Sequence, residues 1–376
     1  MNPKVIALVG GLDGNLDGCT FWRCIWPITE LERQGYKGVG WDFLDNPMVA
    51  AIVHLYDAII LPRRHWLPED WNKGKSFIRA VHNAGIAIIY EVDDDLFSDD
   101  FVRRLITVHD KTPAKAEEVR QCIVRTLKMA DGVTVSCQRL ATIVRRLTDK
   151  PVKVVGNYID YDWFTAVQRE AERDVPGLTI GWAGGVRPDS DVEAMAVAWG
   201  RVARRFDHVT FVVQGHQAKI IYDHVPHERI AALDWLHITE YPAGMVNIDI
   251  GCCPLSDTPF NRAKTYIKAM EYAAGGSAVV ASPTVYGQII EDGYDGYICT
   301  SADEWEMALN TLIASPNGRQ RMAQNLRHKV EDRHTLAGNA WRWPLAWGEI
   351  VEHFQRGRRA ASLIRPKRPK RERVAA

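Results

Sequence analysis

The chain has 376 residues, 46% hydrophobic and 25% charged, with acidic and basic side chains equal in number. At roughly 100 to 200 residues per domain, this length predicts two domains with a core each, and the composition excludes a wholly disordered chain. No apolar run reaches transmembrane length, and the seven cysteines, odd in number and without C-x-x-C or Cys/His ligand spacing, point to neither a disulfide scaffold nor a metal site.

The first residues, "MNPKVIALVGG", lack the long apolar region and small-residue cleavage site of a signal peptide. They read as a first core strand, and the expected location is the cytoplasm. The loop that follows, "GGLDGNLDGCTFWR", holds Gly10 and Gly11 and leads into a helix carrying Arg23. Glycines there allow close backbone approach, so an anion or sugar fits; the bland alternative is a turn with Arg23 in a surface pair. Neither a Walker A motif nor a clean G-x-G-x-x-G is present.

Apolar runs then alternate with helical patterns: "YDAIILPR", "WNKGKSFIRAVHNAG", "IAIIYEVDDD", and a long helical stretch ending in "KMADGVTVS". Short apolar runs separated by helices predict a parallel sheet covered on both faces, a Rossmann-like layer. Asp93, Asp94 and Asp95 end one of these strands. Asp93, nearest the strand, is the functional candidate, and the other two are expected to be structural, at least one as a helix cap.

A polar stretch, "FTAVQREAERDVPG", separates this series from a second one. The predicted organisation is an N-terminal domain over 1–160, a C-terminal domain over 161–335, a helix over 336–355 packing back on the body, and a basic tail over 356–376. In the second series "IGWAGG" ends a strand at Gly184 and Gly185, and "FVVQG" ends another at Gln214 and Gly215. Ligands of open α/β sheets sit beyond such strand ends, where backbone amides can hold phosphate.

The segment "NRAKTYIKAMEYAAGGSAVVAS" reads as one helix running into a buried strand. At about 100° per residue, Lys264, Lys268 and Glu271 share one edge within roughly 60°. A solvated face with a Lys268–Glu271 pair explains them equally in isolation. At a crevice, the same edge offers two cations for a diphosphate and a carboxylate for vicinal hydroxyls.

These successive elements resemble the GT-B glycosyltransferases, in particular the family-4 retaining enzymes, most closely over residues 178–300 and more loosely in "FWRCIWPITELERQG" and "IYEVDDDLF". The resemblance implies two Rossmann-like domains facing a cleft and a nucleotide-sugar donor, a UDP-sugar first and a GDP-sugar second. It implies no other cofactor and no required metal. Glu271 matches the second glutamate of the family's E-x7-E pattern, which implies ribose binding, and Lys264 and Lys268 match a diphosphate role. Position 263 departs from the pattern, with alanine where the first glutamate is expected. Under this resemblance Lys268, Arg23 and Asp93 are the catalytic candidates, Asp93 towards the acceptor hydroxyl.

Residues 356–373, "RGRRAASLIRPKRPKRER", hold nine Lys/Arg against one Glu, so the rest of the chain is eight charges negative. Such a tail is expected to be disordered and either merely solubilising or suited to nucleic acid or an anionic membrane surface. Acceptors compatible with these features are a hydroxymethylated base in DNA or a glycan. The alternative is a non-catalytic nucleic-acid or envelope-associated binding protein on a degenerate glycosyltransferase scaffold.

Overall fold

The computed structural model describes residues 2–10 and 18–364. The first lobe carries six strands: β1 (Val5–Val9), β2 (Val39–Phe43), β3 (Ala58–Pro62), β4 (Ala87–Val92), β5 (Gly132–Val135) and β6 (Val152–Val154). They pair in parallel in the order β2-β1-β3-β4-β5-β6. The reason is visible in β1: Ile6 and Leu8 enter one apolar cluster, while Val5, Ala7 and Val9 enter another on the opposite face. A strand apolar on both sides is stable only between two helical layers.

The second lobe repeats the plan with β7 (Leu178–Gly184), β8 (Val209–Gly215), β9 (Ile230–Leu233), β10 (Ile250–Cys253), β11 (Ala278–Ala281) and β12 (Tyr297–Ile298). The order is β12-β11-β10-β7-β8-β9, again parallel. In each sheet the chain reverses its direction of winding once, beside β1 in the first and β7 in the second. A crevice opens at the carboxyl end of such a switch point.

The chain crosses between lobes twice, and the two crossings pair: Ile159 N–H donates to His334 O at 3.0 Å and Leu336 N–H to Ile159 O at 2.7 Å. The helix Arg342–Ile364 then lies back on the first lobe over β4 and β5, burying Trp343, Trp347 and Ile350 in the apolar cluster on that face of the sheet. Trp341, in contrast, remains exposed. The boundary expected at residue 355 is overrun, because the helix continues to Ile364. Arg358 helps hold it, its guanidinium 5.6 Å from the Phe354 ring and donating to His82 O. The rest of the basic tail, 365–376, lies outside the described residues.

Candidate functional site

A cavity of about 520 Å³ opens between the lobes at the carboxyl edge of the second sheet. Gly184 at the end of β7 and Gly185 just after it, and Gln214 and Gly215 at the end of β8, line it. Gly215 has φ +88°, and a Cβ there would stand 2.9 Å from Gly184 O. Only glycine meets both conditions, and the cleared space lets the backbone come close to a ligand. The loop after β9 brings in Trp235, which is 69% exposed, with its ring beside both Gly185 and Gly215.

The segment between β10 and the next helix is not the regular helix expected from its sequence. Asn261–Ala263 form a tight 3₁₀ turn, Lys264 is extended, and the helix starts only at Ile267, ending at Gly275. The cause is docking onto the first lobe. Phe260 N–H donates to Asp100 Oδ2 at 3.3 Å and Ala263 O accepts from Cys137 Sγ at 3.2 Å, while Asn261 Nδ2 donates to Asp191 Oδ1 at 2.7 Å within the second lobe. Ala263 itself is fully buried in the first lobe's apolar cluster.

That position explains the missing glutamate. A glutamate at 263 would bring an unpaired carboxylate into the first lobe's core rather than into the cavity. Ala263→Glu is therefore expected to destabilise the protein by about 3 to 5 kcal/mol, as an uncompensated buried charge does, with no gain in turnover. Thermal melting with a donor-hydrolysis assay checks this; a more active, equally stable variant would overturn it.

Lys264, Lys268 and Glu271 all line the cavity, Lys264 from the extended stretch before the helix and the other two from the helix itself. Lys268 Nζ lies 2.7 Å from Glu271 Oε2 and also donates to the Tyr241 hydroxyl, which in turn donates to Glu271 Oε2 at 3.2 Å. Burial and the Glu271 carboxylate push the Tyr241 phenol well above its ordinary value, so it stays a proton donor. Tyr241 had no signal in the sequence. Lys268 and Glu271 do pair, but Glu271 is buried, so the edge is not the solvated face that the sequence equally allowed.

Across the cleft, Lys264 Nζ meets Asp94 Oδ1 at 2.9 Å, and Asp94 Oδ2 meets Arg63 at 2.8 Å. Arg63 also holds Asp93 Oδ1, Nη2 to oxygen 2.5 Å. Burial alone would raise the Asp94 carboxyl, but Lys264 and Arg63 outweigh it and hold it well below the usual carboxylate range. Asp93 and Asp94 both line the cavity; contrary to expectation none of the three caps the next helix, whose N-cap is Ser98, and Asp95 Oδ1 instead accepts from Phe97 N–H at 3.2 Å. Arg63 was missed, although "LPRR" follows β3 in the same way that "DDD" follows β4.

Arg23 is not at the cavity. It is 2% exposed, with Nε 2.9 Å from Glu91 Oε1 and Nη1 donating to Val155 O at 2.7 Å and to Asn157 Oδ1 at 2.7 Å. It clamps the outbound crossing to the first sheet, and Asn157, so held, donates from Nδ2 to Thr265 Oγ1 at 3.0 Å and lines the cavity. The catalytic assignment of Arg23 is corrected on this ground: its guanidinium is buried inside the fold, bonded through Nε and Nη1, and does not line the cavity. Gly10 ends β1 with φ +90° and is not among the lining residues, and Gly11 lies outside the described residues. Among the described residues, no three His, Cys, Asp or Glu side chains gather as a metal-binding group.

Two parallel-sheet lobes facing across a cleft, with the cavity on the second lobe's strand ends, define the GT-B glycosyltransferase fold. The chain superposes with TM-score 0.60 on Anabaena HepE (Alr3699), solved in complex with UDP and glucose, at 15% identity over 96% of this chain and 100% of that one. Sucrose-phosphate synthase from Thermosynechococcus elongatus superposes with TM-score 0.58 at 13% identity, over 96% and 99% of the two chains. Residues 177–315 match the family described as glycosyl transferases group 1. TuaH of Bacillus subtilis (strain 168), named as a teichuronic acid biosynthesis glycosyltransferase, is 28% identical over 177 residues. That match spans 44% of this chain and 43% of TuaH.

Proposed function

We propose that this protein is a glycosyltransferase that moves a sugar from a nucleotide-diphosphate donor to an acceptor hydroxyl. The observation that carries the reading is the Lys268–Glu271–Tyr241 group beside glycine-edged strand ends at the switch point of the second lobe. Glu271 suits the ribose hydroxyls, and Lys264 and Lys268 suit the diphosphate, whose negative charge grows as the glycosidic bond breaks. The backbone at Gly184, Gly185 and Gly215 leaves room for the phosphates. UDP is the first choice of nucleotide, supported by the UDP-bound HepE structure; GDP is the second.

Fixed lysines can supply the charge that a metal supplies elsewhere, so turnover is expected to persist in a chelator. Retention follows if the acceptor attacks from the side of the leaving phosphate, which requires no carboxylate nucleophile. Asp93, oriented by Arg63, is the group for the acceptor hydroxyl.

A glycan acceptor is favoured by the name of TuaH. The cationic run at 356–373 favours a second acceptor, a hydroxymethylated base in DNA. Truncation after Ile364 separates them. Loss of transfer to DNA, with strong salt sensitivity in the full chain, supports the DNA acceptor; unchanged transfer to a glycan supports the first.

The first test of the whole reading is a thermal-shift panel of UDP, GDP, ADP and their sugars, since a ligand of the folded state raises its melting temperature. A shift without turnover of any donor would return the non-catalytic scaffold. Trp235→Ala should weaken nucleotide binding by about 1 to 3 kcal/mol, roughly 5- to 150-fold, as loss of one base-stacking ring does. Because Trp235 is exposed, the melting temperature of the free protein should not move. Undiminished affinity in a calorimetric titration would remove Trp235 from the base subsite.

A further inference from the structure

Gln214 is 2% exposed and lines the cavity, yet neither its Oε1 nor its Nε2 has a hydrogen-bond partner among the described residues. Buried amides are ordinarily paired, and an unpaired one facing a cavity is suited to a ligand. Its position is set by Gly244, where a Cβ would overlap both amide atoms. Gly244 lies in the same helical turn, Tyr241–Gly244, as the tyrosine bonded to Glu271. The amide of Gln214 and the carboxylate of Glu271 thus belong to one corner of the cavity.

We propose that Gln214 is a specificity-determining residue that completes, with Glu271, the recognition of the donor's ribose diol. The inference rests on the nucleotide-sugar reading and deepens it. An ionised carboxylate only accepts hydrogen bonds, whereas each ribose hydroxyl both donates and accepts. Glu271 can take the hydroxyl protons but leaves the oxygen lone pairs without a donor. The carboxamide supplies that donor through Nε2, and Oε1 adds an acceptor. A 2′-deoxyribose would leave the buried amide unpaired, and sites built to bond a hydroxyl reject the analogue that lacks it.

The test is calorimetric titration of the full chain with UDP and 2′-deoxy-UDP, or with GDP and 2′-deoxy-GDP if the uridine pair does not bind. The wild-type protein should prefer the ribonucleotide by about 30-fold or more, on the scale of a lost bond to a buried polar group. Gln214→Leu should reduce that preference to within about threefold, by weakening the ribonucleotide rather than strengthening overall binding. Gly244→Ala should do the same with Gln214 intact, because the new methyl displaces the amide, and it serves if Gln214→Leu does not fold. A ribose preference unchanged in the folded variants would overturn the role of Gln214 and leave the donor reading standing. Failure of the wild-type protein to bind any of the four nucleotides would overturn both.

Discussion

Lys268→Ala is expected to lower kcat at saturating donor by about 10²- to 10³-fold, the range found when one fixed donor to a developing charge is removed. The argument is differential. The leaving nucleoside diphosphate is more negative in the transition state than in the bound donor, so a cation aimed at it contributes more as the bond breaks. Lys268 is held for that task by Glu271 and by the Tyr241 hydroxyl, and its ammonium lies 4.6 Å from the Tyr241 ring centroid. Steady-state kinetics separate the outcomes. An equal fall in kcat and kcat/KM fits the proposed role, whereas a rise in KM with kcat unchanged would assign Lys268 to ground-state binding only. Lys268→Arg keeps the charge but changes its reach, and should recover part of the loss.

Arg23→Met should act on stability instead. The substitution removes the partner of a buried carboxylate and the donor to Val155 O, Gly156 O and Asn157 Oδ1. Breaking a buried pair from one side costs about 3 to 5 kcal/mol. With the entropy of unfolding typical of this chain length, the melting temperature should fall by roughly 5 °C. An unchanged melting temperature would show that the crossing segment is held by other contacts.

The same pair predicts a pH dependence. Burial raises the Glu91 carboxyl from 4.5 to about 7 against the pull of Arg23 and of the Thr134 hydroxyl. The folded state therefore binds the proton more tightly than the unfolded state does. That contribution to stability is fully present below about pH 4.5 and is lost as pH rises through about 7, an effect on the order of 3 kcal/mol. Glu91→Gln, neutral at every pH and still able to accept from Arg23, should flatten this part of the stability profile. A wild-type curve identical to that of the variant between pH 5 and 8 would refute it. In Arg23→Met the pull of the guanidinium is gone, so the carboxyl should titrate higher still.

Much of the architecture was legible in the chain because it depends on local pattern. The runs "VIALV", "AIILP" and "AIIYEV" are buried strands in any context that supplies helices for both faces, and the glycines at 184, 185 and 215 mark strand ends whatever surrounds them. Lys268 and Glu271, three residues apart on one helix, were fixed as neighbours by the helical period.

What depends on contacts between distant segments was decided only in the tertiary structure. Arg23 and Arg63 both follow strands of the first sheet, yet one is consumed by the crossing at Val155–Asn157 while the other stands at the cleft with Asp93 and Asp94. Ala263 faces the first lobe because Phe260 N–H is tied to Asp100 and Ala263 O to Cys137, partners 160 and 126 residues away. The corner formed by Gln214, Gly244, Tyr241 and Glu271 draws on three separate segments. Sequence determined which side chains could bond; the packing of the two lobes decided which bonds were already satisfied inside the fold and which atoms of Gln214 were left to face the cavity.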